Sequence, residues 1–250
     1  MGASYAAAMA KHHPKRVTPP TALERTEAAA ASPALRALAA VTTWAGGGRL
    51  VGAGGQLLPE QVEELAALLA PTESHFVAAG AEPERETAAA MRWAVVAGLV
   101  DVHGVVIQAS DAGRRLIDEP LPAWEAAFSS LLGRGILTTQ LGRPTPWAVA
   151  VDRAVLPLLG YLFGARSARP PEEVLTMMCQ AVAEEASDDP DLRFILDQED
   201  WIEGAALAGS EVMWWLADLG TVTLRPTCQL TPLGRWAVEI VLRTSGALTE

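Results

Sequence analysis

A chain of 250 residues that is 50% apolar, with eight tryptophans and a mean hydropathy of +0.19, buries enough surface to fold without disulfides or metal. This composition excludes intrinsic disorder. The longest apolar stretch, Trp147 to Ala165, is broken by Asp152 and Arg153 and contains Pro157, so it falls short of the roughly 18 uncharged residues of a membrane span.

Charge is unevenly placed. Residues 1–20 hold Lys11, Lys15 and Arg16 and no acid, leaving −14 on the remainder of a chain whose net charge is −11. Small residues precede the basic cluster, the reverse of a secretory signal, which predicts a mobile basic tail on a cytoplasmic protein. Between Glu172 and Glu211 stand twelve acidic residues against Arg193 alone. That field repels a phosphate backbone, and it reads either as a solvated helix face or as a docking surface for a basic partner.

In chain order, Thr21 to Ala31 reads as a leading helix, and Ser32-Pro33 caps a second whose apolar face is Leu35, Leu38, Val41 and Trp44. After Gly46-Gly47-Gly48 a short strand fits Arg49-Leu50-Val51, and Leu58-Pro59 opens a helix with Val62, Leu65 and Leu69 inward. Thr72 to Pro83 is a linker. A helix over Glu84 to Ala97 stops at Gly98, followed by two β-prone runs, Leu99 to Val102 and Val105 to Ala109, joined at hairpin spacing by His103-Gly104. Helices from Ser110 and over Leu121 to Leu132 complete the first half.

The second half places helices over Trp147 to Gly164, Glu172 to Ala186, from about Asp191, and over Ala206 to Leu219. Gly220 then precedes a hairpin of Thr221 to Leu224 and Cys228 to Leu230, turned at Arg225-Pro226-Thr227, and a last helix from Thr231 to Thr244. The predicted division is a tail 1–20 and domains 21–140 and 141–250.

The two hairpin regions repeat one another. Trp93 stands five residues before Gly98, and Trp215 five before Gly220; Val100 matches Val222 and Val102 matches Leu224. Ser110-Asp111-Ala112-Gly113-Arg114 matches Thr231-Pro232-Leu233-Gly234-Arg235. Glycine reverses the chain and the hydroxyl caps the next helix. A mainly α chain with small β-hairpins (α+β) is expected, and its helix, strand, helix, helix, hairpin order resembles winged-helix proteins of regulatory type. On that resemblance the two halves are tandem winged-helix-like modules. Leu-Thr-Pro-Leu-Gly-Arg-Trp, together with Arg-rich, Lys-poor usage, is similar to uncharacterised actinobacterial members.

Chemistry is thinly represented. His12 and His13 lie in the tail, His75 in the linker and His103 at a hairpin tip, and Cys179 and Cys228 read as small core residues. The glycines from Gly46 to Gly55 fit no phosphate-loop spacing, and Ala208-Gly209-Ser210-Glu211 lacks the second glycine of a nucleophile elbow. No catalytic residue, cofactor or metal is assigned, and the chain is read as a non-enzyme.

The winged-helix resemblance implies double-stranded DNA as a partner, gripped by the third helix and the wing. The candidate contacts are Lys11, Lys15, Arg16, Arg85, Arg92, Arg114, Arg115, Arg225 and Arg235. Arg85 and Arg92 are seven apart and share a helix face, whereas Ala206 to Leu219 has no Lys or Arg, displays Glu211 and Asp218, and holds Trp214-Trp215 as core. Arg114 and Arg235 are also readable as structural residues at helix starts. A DNA-binding transcriptional regulator leads, and a protein-interaction module docking a basic or apolar partner follows. The fold's habit adds a two-fold homodimer.

Overall fold

The computed structural model describes residues 18–52, 56–74, 83–165 and 167–246. The chain is mainly helical with a few short antiparallel strands. Its described residues divide into two compact units, one from Leu23 to Arg143 and one from Pro144 onward. Most of the linker expected at Thr72 to Pro83 lies outside the described residues, as do His12, His13, His75, Gly54 and Gly55.

In the first unit α1 (Ala22–Ala30), α2 (Pro33–Ala45), β1 (Arg49–Leu50), α3 (Pro59–Leu69) and α4 (Pro83–Val96) lead to a hairpin of β2 (Val100–His103) and β3 (Val106–Ala109). Then follow α5 (Asp111–Arg115), α6 (Pro120–Arg134) and α7 (Ile136–Leu141). Local chemistry sets the entry to α2: the Ser32 hydroxyl accepts from the Leu35 amide at 3.2 Å, with Pro33 in the first turn. Leu38, Leu65, Leu69, Trp93, Ile107 and Trp124 are sealed from solvent and join α2, α3, α4, β3 and α6 in one core. Burying a side chain of this size contributes about 2 kcal/mol, so the contacts rather than helix propensity hold the unit.

The sheet order is β1-β3-β2, all antiparallel. Because His103 pairs with Val106, the hairpin tip is Gly104-Val105, one residue later than the spacing suggested. Gly104 has φ +63, which suits the first position of a tight hairpin turn. Helix α7 is absent from the sequence reading. Its six residues lie between Gly135 and Gly142 at φ +97 and +75, a length too short to show a helical period.

The second unit consists of α8 (Pro146–Gly164), α9 (Pro171–Asp188), α10 (Trp201–Asp218), β4 (Val222–Thr223), β5 (Gln229–Leu230) and α11 (Pro232–Thr244). Helix α8 is the one described helix long and apolar enough to cross a membrane by length and composition, and 56% of its apolar window is buried by the protein itself. It packs against α9, α10 and α11 as a core helix. Where a helix from about Asp191 was expected, only a single 3-10 turn forms at Arg193–Ile195. The Asp189 carboxylate accepts from the Asp191 amide at 2.9 Å with Pro190 next in the chain, as at a helix N-terminus, but the turn this opens ends after Ile195. Helix α10 starts at Trp201, ahead of the expected Ala206, because Gly204 stays helical where a β-carbon would lie 3.3 Å from the Trp147 ring.

Candidate functional site

The corner between the third helix and the hairpin has the same hydrogen bonds in both units. Gly98 and Gly220 reverse the chain at φ +69 and +71. The next amide returns to the helix, Leu99 to the Ala94 carbonyl and Thr221 to the Leu216 carbonyl, each at 2.8 Å. Ser110 Oγ donates to the Gly98 carbonyl at 2.7 Å and accepts from the Gly113 amide at 3.0 Å. Thr231 Oγ1 donates to the Gly220 carbonyl at 2.6 Å and accepts from the Gly234 amide at 2.9 Å. Each hydroxyl therefore caps a helix and ties it to the glycine stop.

Gly113 and Gly234 have no positive φ; they are required because the helix start rests on backbone. A β-carbon would overlap the Leu99 carbonyl in the first unit and the Thr221 carbonyl in the second. Strand pairing repeats as well. Val100 faces Ala109 and Asp101 faces Gln108; in the second unit Val222 faces Leu230 and Thr223 faces Gln229. Trp93 and Trp215 are both buried beneath the corner.

A second repeated device escaped the sequence reading. Arg49 pairs with Ile107 across the sheet, and Arg169 forms an isolated antiparallel bridge with Cys228. The Arg49 guanidinium lies 4.7 Å from the Trp44 ring centre on α2 and bonds both oxygens of Glu64 on α3, at 2.6 and 2.9 Å. The Arg169 guanidinium lies 5.5 Å from the Tyr161 ring centre on α8 and pairs with Glu173 on α9 at 3.3 Å. In both, a strand arginine bridges an aromatic on the helix before it and a carboxylate on the helix after it.

The electrostatics of the two clamps differ. The Arg49 guanidinium, followed by the Trp44 indole, holds the Glu64 carboxyl below its ordinary range. Burial first, and then its hydrogen bond to Glu173, push the Tyr161 hydroxyl up to about 12.

Most of the candidate DNA-contacting arginines in the described residues are engaged by the fold. Arg92 Nε donates to the Thr139 carbonyl at 2.8 Å and Nη2 to the Gln140 carbonyl, so it caps the C-terminus of α7. Arg235 donates to the Phe163 carbonyl at 3.0 Å with its guanidinium 5.0 Å from the Phe163 ring centre. Burial lowers the pKa of both from the ordinary arginine value. Arg114 bonds the Ala109 carbonyl and the Asp111 carboxylate, Arg115 pairs with Glu119 at 3.5 Å, and Arg225 lies 5.7 Å from the Trp214 ring centre. Arg85 is exposed near the start of α4. Lys11, Lys15 and Arg16 lie outside the described residues.

Three expectations for the second unit change. Asp218 is 1% exposed rather than displayed, because it falls on the buried side of the last turn of α10. Trp214 is half-buried under Arg225 while Trp215 is core, since adjacent helical positions point about 100° apart. Cys228 is buried, but Cys179 is only half-buried; burial pushes both thiols up, away from nucleophilic thiolate.

A cleft of about 210 Å³ in the first unit lies among Met91, Val95, Val96, Val102 and Ile107, with Arg92 and Arg134 also lining it. Its lining contains no carboxylate, histidine or thiol. Among the described residues no three His, Cys, Asp or Glu side chains converge as a metal site. Comparison with known protein families, with curated proteins and with solved structures gives no match.

Proposed function

We propose that this is a non-enzymatic cytoplasmic protein built from two winged-helix-like modules, acting as a docking platform for a protein partner with basic character. The observation that carries the reading is the state of the arginines on the expected DNA-reading side: Arg92 caps α7, Arg235 holds α8, and Arg114 and Arg115 pair within the chain. The corresponding helix α10 has no Lys or Arg and exposes Glu203 and Leu207. The net −11 between Glu172 and Glu211 favours a basic partner.

The second reading is a transcriptional regulator gripping double-stranded DNA, and the exposure of Arg85 and Arg225 favours it. Mobility shift with random duplex DNA decides between them. The docking reading expects no shift even near about 50 mM salt, where phosphate contacts are strongest. A shift at that salt that collapses by about 200 mM overturns it in favour of DNA.

A further inference from the structure

The two units diverge on one face of the helix preceding the hairpin. The spacing that matches Trp93 with Trp215 also matches Arg92 with Trp214 and Val95 with Ala217. In the first unit the end of this face around Arg92 carries α7, while Arg85, which matches Leu207, is exposed. Arg92 bonds the Thr139 and Gln140 carbonyls, and Gly142 sits so close that a β-carbon there would lie 3.0 Å from Arg92 Cδ.

In the second unit the matching face of α10 runs along Glu203, Leu207, Ser210, Trp214 and Ala217, which share one side of the helix. Leu207 is 68% exposed. The five-residue connection between β4 and β5 brings Arg225 over Trp214, which returns a guanidinium to the end of the helix where Arg92 meets the α7 carbonyls in the first unit.

We propose that this face of α10 docks a helix from a partner protein, apolar towards Leu207 and Trp214 and basic along its flanks, meeting the Trp214 end of α10 as α7 meets the Arg92 end of α4. The first unit supplies the template for a helical occupant at the Trp214 end, and exposed Leu207 extends the apolar surface beyond it. The charge of −11 from Glu172 to Glu211 supplies the sign of its flanks. The inference rests on the protein-docking reading above and specifies its surface and partner.

The test titrates the full chain with a synthetic amphipathic helix of about 16 residues, leucine on one face and lysine on the other, read by anisotropy of a fluorescent label. Leu207→Gln keeps the charge and changes an exposed position, so the fold is preserved. The expected result is binding by the unaltered chain, weakened about tenfold by Leu207→Gln, as loss of an apolar anchor predicts. A counterpart peptide with glutamate for lysine should not bind.

Equal affinity of the unaltered and Leu207→Gln chains overturns the α10 site. If binding is then lost in the Glu184→Gln, Asp188→Asn double variant, the acidic docking reading survives while this site does not. Absence of binding to the unaltered chain also overturns the proposal, and the mobility shift independently decides whether the docking reading falls with it.

Discussion

In the first unit the helix ahead of the hairpin is roofed by α7, whose last carbonyls rest on Arg92; in the second the matching helix turns Leu207 and half-buried Trp214 outward, with Arg225 across the ring. Beneath that difference the glycine stop, the hydroxyl tie and the close-set glycine are the same bond for bond. What is shared is what a helix needs to turn into a hairpin and out again. What differs is the roof and the surface charge.

The sharpest way to break the shared part is a single methyl group. Gly113→Ala and Gly234→Ala should each cost about 3 kcal/mol, because the carbonyl they strike is backbone and cannot move aside. Urea denaturation measures the loss, and amide exchange shows which unit has loosened; unchanged stability in either variant would separate the two corners. Ser110→Ala and Thr231→Ala come next, at about 1.5 kcal/mol each, since both a cap and a tie to the glycine stop are lost.

Arg92→Met sharpens the contrast in roofing. It should lower global stability by about 1 kcal/mol and raise amide exchange over residues 136–142, while Trp214→Met leaves those amides unchanged. The clamps titrate at opposite ends of the pH scale. Tyr161, raised in the folded state from 10.0 to about 12, keeps its proton where the unfolded chain has lost it, so its stabilisation is complete below pH 10 and is lost as pH rises towards 12.

Glu64, lowered from 4.5, stabilises above its unfolded value, and that contribution is lost as pH falls through its folded one. Tyr161→Phe should flatten the alkaline limb of a stability–pH curve and leave the acid limb intact; Glu64→Gln should do the reverse. The smallest effects belong to Arg49→Lys and Arg169→Lys, about 0.5 kcal/mol each in thermal unfolding, because lysine retains charge but loses the planar stack.

The corner was legible in the sequence because every part of it is local. A glycine at a fixed distance from a tryptophan, a β-prone pair and a Ser or Thr three residues ahead of glycine leave a linear signature; the tip of the first hairpin moved by one residue, and the second connection widened from the expected Arg225-Pro226-Thr227 to five residues, with strands only at Val222–Thr223 and Gln229–Leu230. The clamps left none. Trp44 stands five residues before Arg49 and Glu64 fifteen after it, whereas Tyr161 stands eight before Arg169 and Glu173 four after. Geometry is repeated there while spacing is not; the findable signal was an arginine in the same strand position of each half. Likewise, the charge of Arg92 and the helix face it shares with Arg85 were readable as a phosphate contact because the carbonyls it meets come from α7, a helix too short to declare itself.

The close seating of Gly113 on Leu99 and of Gly234 on Thr221 also fixes where this protein tolerates added length. Both ends of each ribbon are bolted to backbone, so an epitope or labelling sequence placed between Gly98 and Leu99, or between Ser110 and Gly113, would pull the bolts apart. The same cargo at Gly104-Val105, or within Arg225-Pro226-Thr227, would hang from a ribbon whose two units already differ in tip length, making these the natural handles for tethering or imaging the molecule.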